Sequence, residues 1–132
     1  MSQEKADLVR RSYAAWNEAD LDAMLAILHR DFEYVTSGLF PGLAPVYRGR
    51  DGYTDFWLEF RSTWESLRIE MNELREVGEQ VVTLFTFEGR GRAGLEARRP
   101  FGNVWTFRDG LVVRIQAYAD WEETLEAVGL HE

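Results

Sequence analysis

Apolar residues recur at helical spacing from the start of the chain. In "EKADLVRRSYAAWNEAD" they fall at Ala6, Val9, Tyr13 and Trp16, one face of an amphipathic helix. "NEAD" breaks that helix. Asp20 is placed to cap a second one, whose apolar face is Leu21, Met24, Leu25 and Leu28. The strongest helical pattern lies in "RDGYTDFWLEFRSTW", where Tyr53, Phe56, Trp57, Phe60 and Trp64 form an aromatic stripe. Such a stripe packs against a sheet, and the same packing can make it one wall of a cavity.

Elsewhere the period falls to two. "DFEYVTS" sets Phe32, Tyr34 and Thr36 against Glu33, Val35 and Ser37, a short strand. The Gly- and Pro-rich segment "GLFPGLAPVYRG" reads as a loop, and its apolar content suits a loop that covers something. "SLRIEMNELREV" alternates but loses phase between Met71 and Leu74, the mark of a bulge. "EQVVTLFTFEG", "RRPFGNVWTF" and "LVVRIQAYA" supply further strands, the last two joined at "RDG" as a tight hairpin. A final helix starts at "DWEETLEAVGL", with Asp120 and Glu123 spaced as a capping box and Gly129 as a stop. Helices and strands segregate in this order. The expected fold is therefore α+β, one domain over residues 1–132, with helices on one face of a curved antiparallel sheet.

Composition narrows the function. The net charge is −8, from 23 acidic and 15 basic residues, which argues against nucleic acid and anionic membranes as partners. Arg90, Arg92, Arg98 and Arg99 are the local exception, and the glycines between them suggest a solvated hairpin tip. There is no cysteine, so disulfides, thiolate catalysis and Cys-based zinc sites are excluded. His29 and His131 lack metal-ligand spacing. His29 reads as a structural residue at the end of the second helix, and neither metal nor cofactor is expected. No leader or apolar span is apparent, and a cytoplasmic location is expected.

With these elements in place, the chain resembles the nuclear transport factor 2-like superfamily, in its SnoaL-like branch. The resemblance rests on "AAWNEADLDAMLAILHRDFEY", "YRGRDGYTDFW" and "VWTFRDGLVVRIQAYADWEETLEAVGL", in that order and spacing. It implies a cone: the sheet curls around a pocket, helices pack on its concave face, and the convex face forms a homodimer. The superfamily includes ketosteroid isomerases, polyketide cyclases, epoxide hydrolases and non-catalytic binding modules, so fold does not decide function.

Compared position by position, the family's acid–base residues are largely missing. The isomerase pattern matches "SYAAWN" and puts that family's tyrosine at Ser12, with Tyr13 pointing to a different face. The isomerase base falls on Thr36 or Val35, and its second oxyanion donor on Asn103. The cyclase Asp and His fall on Ala117 and Asn103. The limonene-epoxide hydrolase set falls on Ala117, Thr86 and Glu88, of which Glu88 alone is a carboxylate.

Glu88 and Asp120 are therefore the candidate catalytic residues. An inward Glu88 would be desolvated and its carboxyl raised toward neutrality, whereas an outward one would pair with Arg90 or Arg92. Asp120 lies three residues past the family's acid position and fits a helix cap. The expected ligand-binding set is Ser12, Trp16, Tyr34, Thr36, Phe56, Phe60, Asn103, Trp105 and Ala117, with Val113 and Ile115 directed inward beside Ala117. These describe an apolar, aromatic site for a small hydrophobic molecule. Three readings stand: a binding protein lacking the usual acid–base set; a hydrolase, isomerase or cyclase acting on a hydrophobic carbonyl or epoxide through Glu88; and a protein-interaction module using its outer sheet face.

Overall fold

Each helical stripe folds as a helix laid on a sheet. The computed structural model describes residues 2–130, so His131 lies outside the described residues. In chain order the elements are α1 (Ser2–Glu18), α2 (Leu21–Leu25), β1 (Leu28–Val35), β2 (Val46–Arg48), α3 (Gly49–Ser62), β3 (Trp64–Val77), β4 (Gln80–Gly91), β5 (Glu96–Arg108), β6 (Leu111–Tyr118) and α4 (Trp121–Ala127). A 3-10 turn over Arg92–Gly94 joins β4 to β5.

The six strands form one curved, unclosed sheet in the order β2-β1-β6-β5-β4-β3. Neighbours are antiparallel, apart from the parallel pair β1–β6 at the chain's longest crossover. The "RDG" turn puts Asp109 and Gly110 at φ 54° and 77°, the left-handed pair that a two-residue hairpin requires. The phase loss in β3 is a bulge between Met71 and Glu73.

Several local expectations are corrected. The second helix ends at Leu25, and Leu28 and His29 open β1 instead. His29 is buried, accepts a hydrogen bond from the Asp31 amide at 3.0 Å and lies 3.4 Å from Asp109. The covering loop also contains the three-residue strand β2. A bulge between Thr106 and Phe107 shifts the register of β6, so that Val112 rather than Val113 joins the inner core.

The main core lies on the concave face, where α1 and α3 meet Val81, Phe85, Phe87, Trp105, Val112 and Ile115. Asn17 fastens the end of α1 to β3, accepting from the Ile69 amide at 2.7 Å and donating to its carbonyl at 2.8 Å. A second cluster, Val82, Leu84, Val104 and Leu125, lies on the convex face under α4. The fourth helix thus packs opposite the other three. Gly102 makes that docking possible, since a Cβ there would stand 1.9 Å from Thr124 Oγ1.

Candidate functional site

Between α1, α3 and the concave sheet lies a cavity of about 50 Å³. At about 10–15 Å³ of such space per water, the cavity has room for only a few waters. Ser12, Tyr13, Trp16, Tyr34, Phe56, Phe60, Phe85, Phe87, Phe101, Asn103, Trp105 and Ile115 are among its walls. The alternation of β4 and β5 aims Phe85, Phe87, Phe101, Asn103 and Trp105 at this space, and the α3 stripe closes the other side.

Its polar groups are few and mostly engaged. Thr83 Oγ1 accepts from Trp105 Nε1 at 2.9 Å and shares a 2.7 Å hydrogen bond with the Tyr13 hydroxyl. Trp16 Nε1 donates to the Tyr53 hydroxyl at 3.0 Å. Asn103 stands beside Tyr13 and is 9% exposed, yet its Oδ1 is buried without a hydrogen-bond donor. A buried polar atom left unpaired costs about 1–3 kcal/mol, and a ligand hydroxyl could supply the missing donor.

Burial pushes the pKa values of Tyr13, Tyr34 and Tyr53 well above the ordinary tyrosine value. Desolvation disfavours the phenolate, and these hydroxyls stay neutral at physiological pH. No carboxylate, imidazole, ammonium or guanidinium is among the cavity walls. Among the described residues, no three His, Asp or Glu side chains gather as a metal site.

Phe40, from the loop between β1 and β2, closes the cone. Its ring lies 5.3 Å from Phe60, 5.7 Å from Phe101 and 6.1 Å from Phe56, centroid to centroid. The base of the loop is fixed. Thr36 Oγ1 donates to the Ala44 carbonyl at 2.7 Å, and the Ala44 amide donates to the Tyr47 hydroxyl at 2.9 Å.

Of the expected ligand-binding residues, Ser12, Trp16, Tyr34, Phe56, Phe60, Asn103 and Trp105 face this cavity, while Thr36 and Ala117 do not. Thr36 is instead fully buried in anchoring the loop, and Ala117 is packed in the core. Tyr13 is a correction: it lines the cavity beside Ser12 rather than turning to another face. Its place on the buried Val9–Trp16 stripe was the sequence signal for this.

Neither carboxylate candidate reaches the cavity. Glu88 sits on the convex face with Val82, Leu84 and Thr86, the outward of its two orientations, and its partner there is Arg98 rather than Arg90 or Arg92. Its side chain is 44% exposed and lies 3.8 Å from Arg98, across the strand pair. Asp120 caps α4, its carboxylate accepting from the Glu123 amide at 2.8 Å.

Residues 9–115 match the SnoaL-like domain family, and the chain belongs to that family. No curated protein matches the sequence. Solved structures do. TerC, crystallised with polyporic acid, is 28% identical with a TM-score of 0.80, over 89% of this chain and 92% of that one. A nuclear transport factor 2-like protein of unknown function from Burkholderia pseudomallei is also 28% identical, with a TM-score of 0.81 over 96% and 98% of the two chains. A Catenulispora acidiphila protein of ketosteroid-isomerase-like fold, at 17% identity and a TM-score of 0.75 over 93% and 92%, shares the fold.

Proposed function

We propose that this SnoaL-like protein binds a small, hydrophobic aromatic molecule inside its cone, with a ligand hydroxyl set against Asn103. The observation that carries this reading is the unpaired Asn103 Oδ1, buried among aromatic walls. Support also comes from TerC, a 28% identical relative crystallised with polyporic acid.

Binding is favoured over acid–base catalysis on chemical grounds. General acid–base work needs a group that exchanges protons near neutral pH within reach of the substrate. The cavity walls offer neutral tyrosines, a serine and an amide, while Glu88 lies on the other face of the sheet. Asn103 and Tyr13 are suited to orient a polar substituent, and Trp16, Phe56, Phe60 and Phe101 to hold its rings.

Ligand sites for drug-sized molecules usually measure about 300–1,000 Å³, so the cone must open to load. Phe40 is the natural part to move, since it is the loop residue that plugs the aromatic cluster. The small volume also favours a second reading, in which the interior is simply filled and the outer sheet face binds a protein. Thermal unfolding against polyporic acid and a panel of hydroxylated aromatic compounds separates the two. A saturable rise in Tm with one class supports the cone as a binding site. No rise with any member supports the filled interior.

A further inference from the structure

The arginines around the β4–β5 hairpin are not equivalent. Arg90 and Arg98 point to the convex side and pair with Glu96 and Glu88 at 3.0 and 3.8 Å. Arg99 lies on the other side. It sits between Ala97 and Phe101, both packed against the concave core, and directly opposite Phe87 in an unbroken register. Strand alternation therefore places Arg99 on the inner face, at the exposed rim just beyond the cavity wall. Among the described residues it makes no ion pair.

A second donor without an acceptor flanks the same phenylalanine. Trp64 packs on Phe87 from the β3 side, ring centroids 5.0 Å apart, and its Nε1 is buried with no hydrogen-bond partner. Trp64 is opposite Gly91 and Arg99 opposite Phe87, so their backbones are two strand spacings apart and offset by four residues, about 16 Å, a span that the Trp64 ring on Phe87 and an extended Arg99 side chain close together. A protein of net charge −8 repels anions generally, so a local pair of donors is what an anionic group would need here.

We infer that Arg99 and Trp64 Nε1 form an anion subsite at the rim of the cone, so that the ligand is an amphipathic acid. Its apolar body occupies the cavity, and its carboxylate or acidic enol is held over Phe87. This rests on the binding reading above and adds the chemical class. β5 supplies a length scale as well. Asn103 and Arg99 are four residues apart on one face, about 13 Å along the strand, with Phe101 between them. A hydroxyl at one end of two linked rings and an acid at the other fits that run.

The test uses 4′-hydroxybiphenyl-4-carboxylate and its methyl ester, titrated into the full chain by calorimetry. The wild type should bind the acid at least about tenfold more tightly than the ester, a preference that shrinks in high salt. Arg99→Gln should remove the preference while leaving ester affinity unchanged, and Arg99→Lys should restore part of it. Trp64→Phe should weaken the acid severalfold and spare the ester. Equal binding of acid and ester by the wild type, or an undiminished preference in Arg99→Gln, overturns the anion subsite and leaves the cone reading standing. Failure of both probes to bind overturns the cone reading and the subsite together.

Discussion

Phe40 and Phe101 meet ring to ring, 5.7 Å between centroids, where the β1–β2 loop touches the middle of β5. This contact joins the covering loop to the strand that carries Asn103. It seats the covering loop on the cone through a side chain held in an aromatic cluster.

Replacing Phe40 by alanine should therefore speed ligand entry more than it harms the fold. Phe40 is half-buried, and its removal should cost about 1–2 kcal/mol in urea unfolding. Stopped-flow tryptophan fluorescence should show faster association with any ligand found by thermal shift. Unchanged association, with unchanged stability, would mean that entry lies elsewhere.

The buried tyrosines make a prediction about alkali. Tyr13, Tyr34 and Tyr53 are held neutral by burial, with pKa values above the ordinary 10.0. Below pH 10 both folded and unfolded chains keep these protons, and stability is independent of them. Above it the unfolded chain ionises first, so stability falls as pH rises toward the folded-state values, by up to about 1.4 kcal/mol per pH unit for each tyrosine. Ultraviolet titration of the five tyrosines should show these three ionising only with unfolding. Free ionisation of all five in the native state would contradict their burial.

Glu88→Gln should leave ligand affinity unaltered, because Glu88 is on the convex face and paired with Arg98. A surface pair of this kind contributes at most about 1 kcal/mol. Asp120→Ala should cost about 1 kcal/mol through the lost α4 cap, again without effect on binding. A large loss of binding or turnover in Glu88→Gln, in a variant that remains folded, would return that residue to the mechanism.

Gly102→Ala should be the more damaging change on the outer face. The new methyl would collide with Thr124 and lift α4 from Val82, Leu84 and Val104. Overpacking of this kind costs roughly 1–3 kcal/mol. Hydrogen exchange should show the 121–127 amides losing protection first. Full protection in the variant would mean that α4 is docked by something other than this close approach.

Much of this architecture is legible in the sequence, because its strongest signals are periodic and local. The α1 and α3 stripes, the β3 bulge, the Asp109–Gly110 turn and the Asp120 cap each depend on a few neighbouring residues. The errors arise where two patterns coincide. Leu28 continues the helical spacing of Leu21, Met24 and Leu25, yet it belongs to β1, whose pairing with β6 is fixed by distant residues. At three residues, β2 is too short to display alternation. The orientation of Glu88 is obscured because "VVTLFTF" is apolar on both faces, one side meeting the cavity and the other α4. Tyr13 was missed as a wall residue because adjacent positions on a helix can both border a broad cavity.

The most direct test of the cone as a ligand site is Asn103→Leu, followed by two readouts of opposite sign. Replacing a buried amide whose Oδ1 has no donor with an apolar side chain of similar size removes that atom's desolvation cost, so the ligand-free protein should become more stable by roughly 1 kcal/mol. The same change removes the polar contact offered to the ligand. Chemical unfolding should therefore show a gain in stability while calorimetry shows about a tenfold loss of affinity for a hydroxylated ligand. A variant that loses stability and binds as tightly as the wild type would make Asn103 a structural residue, and the cone would lose its claim to a polar ligand contact.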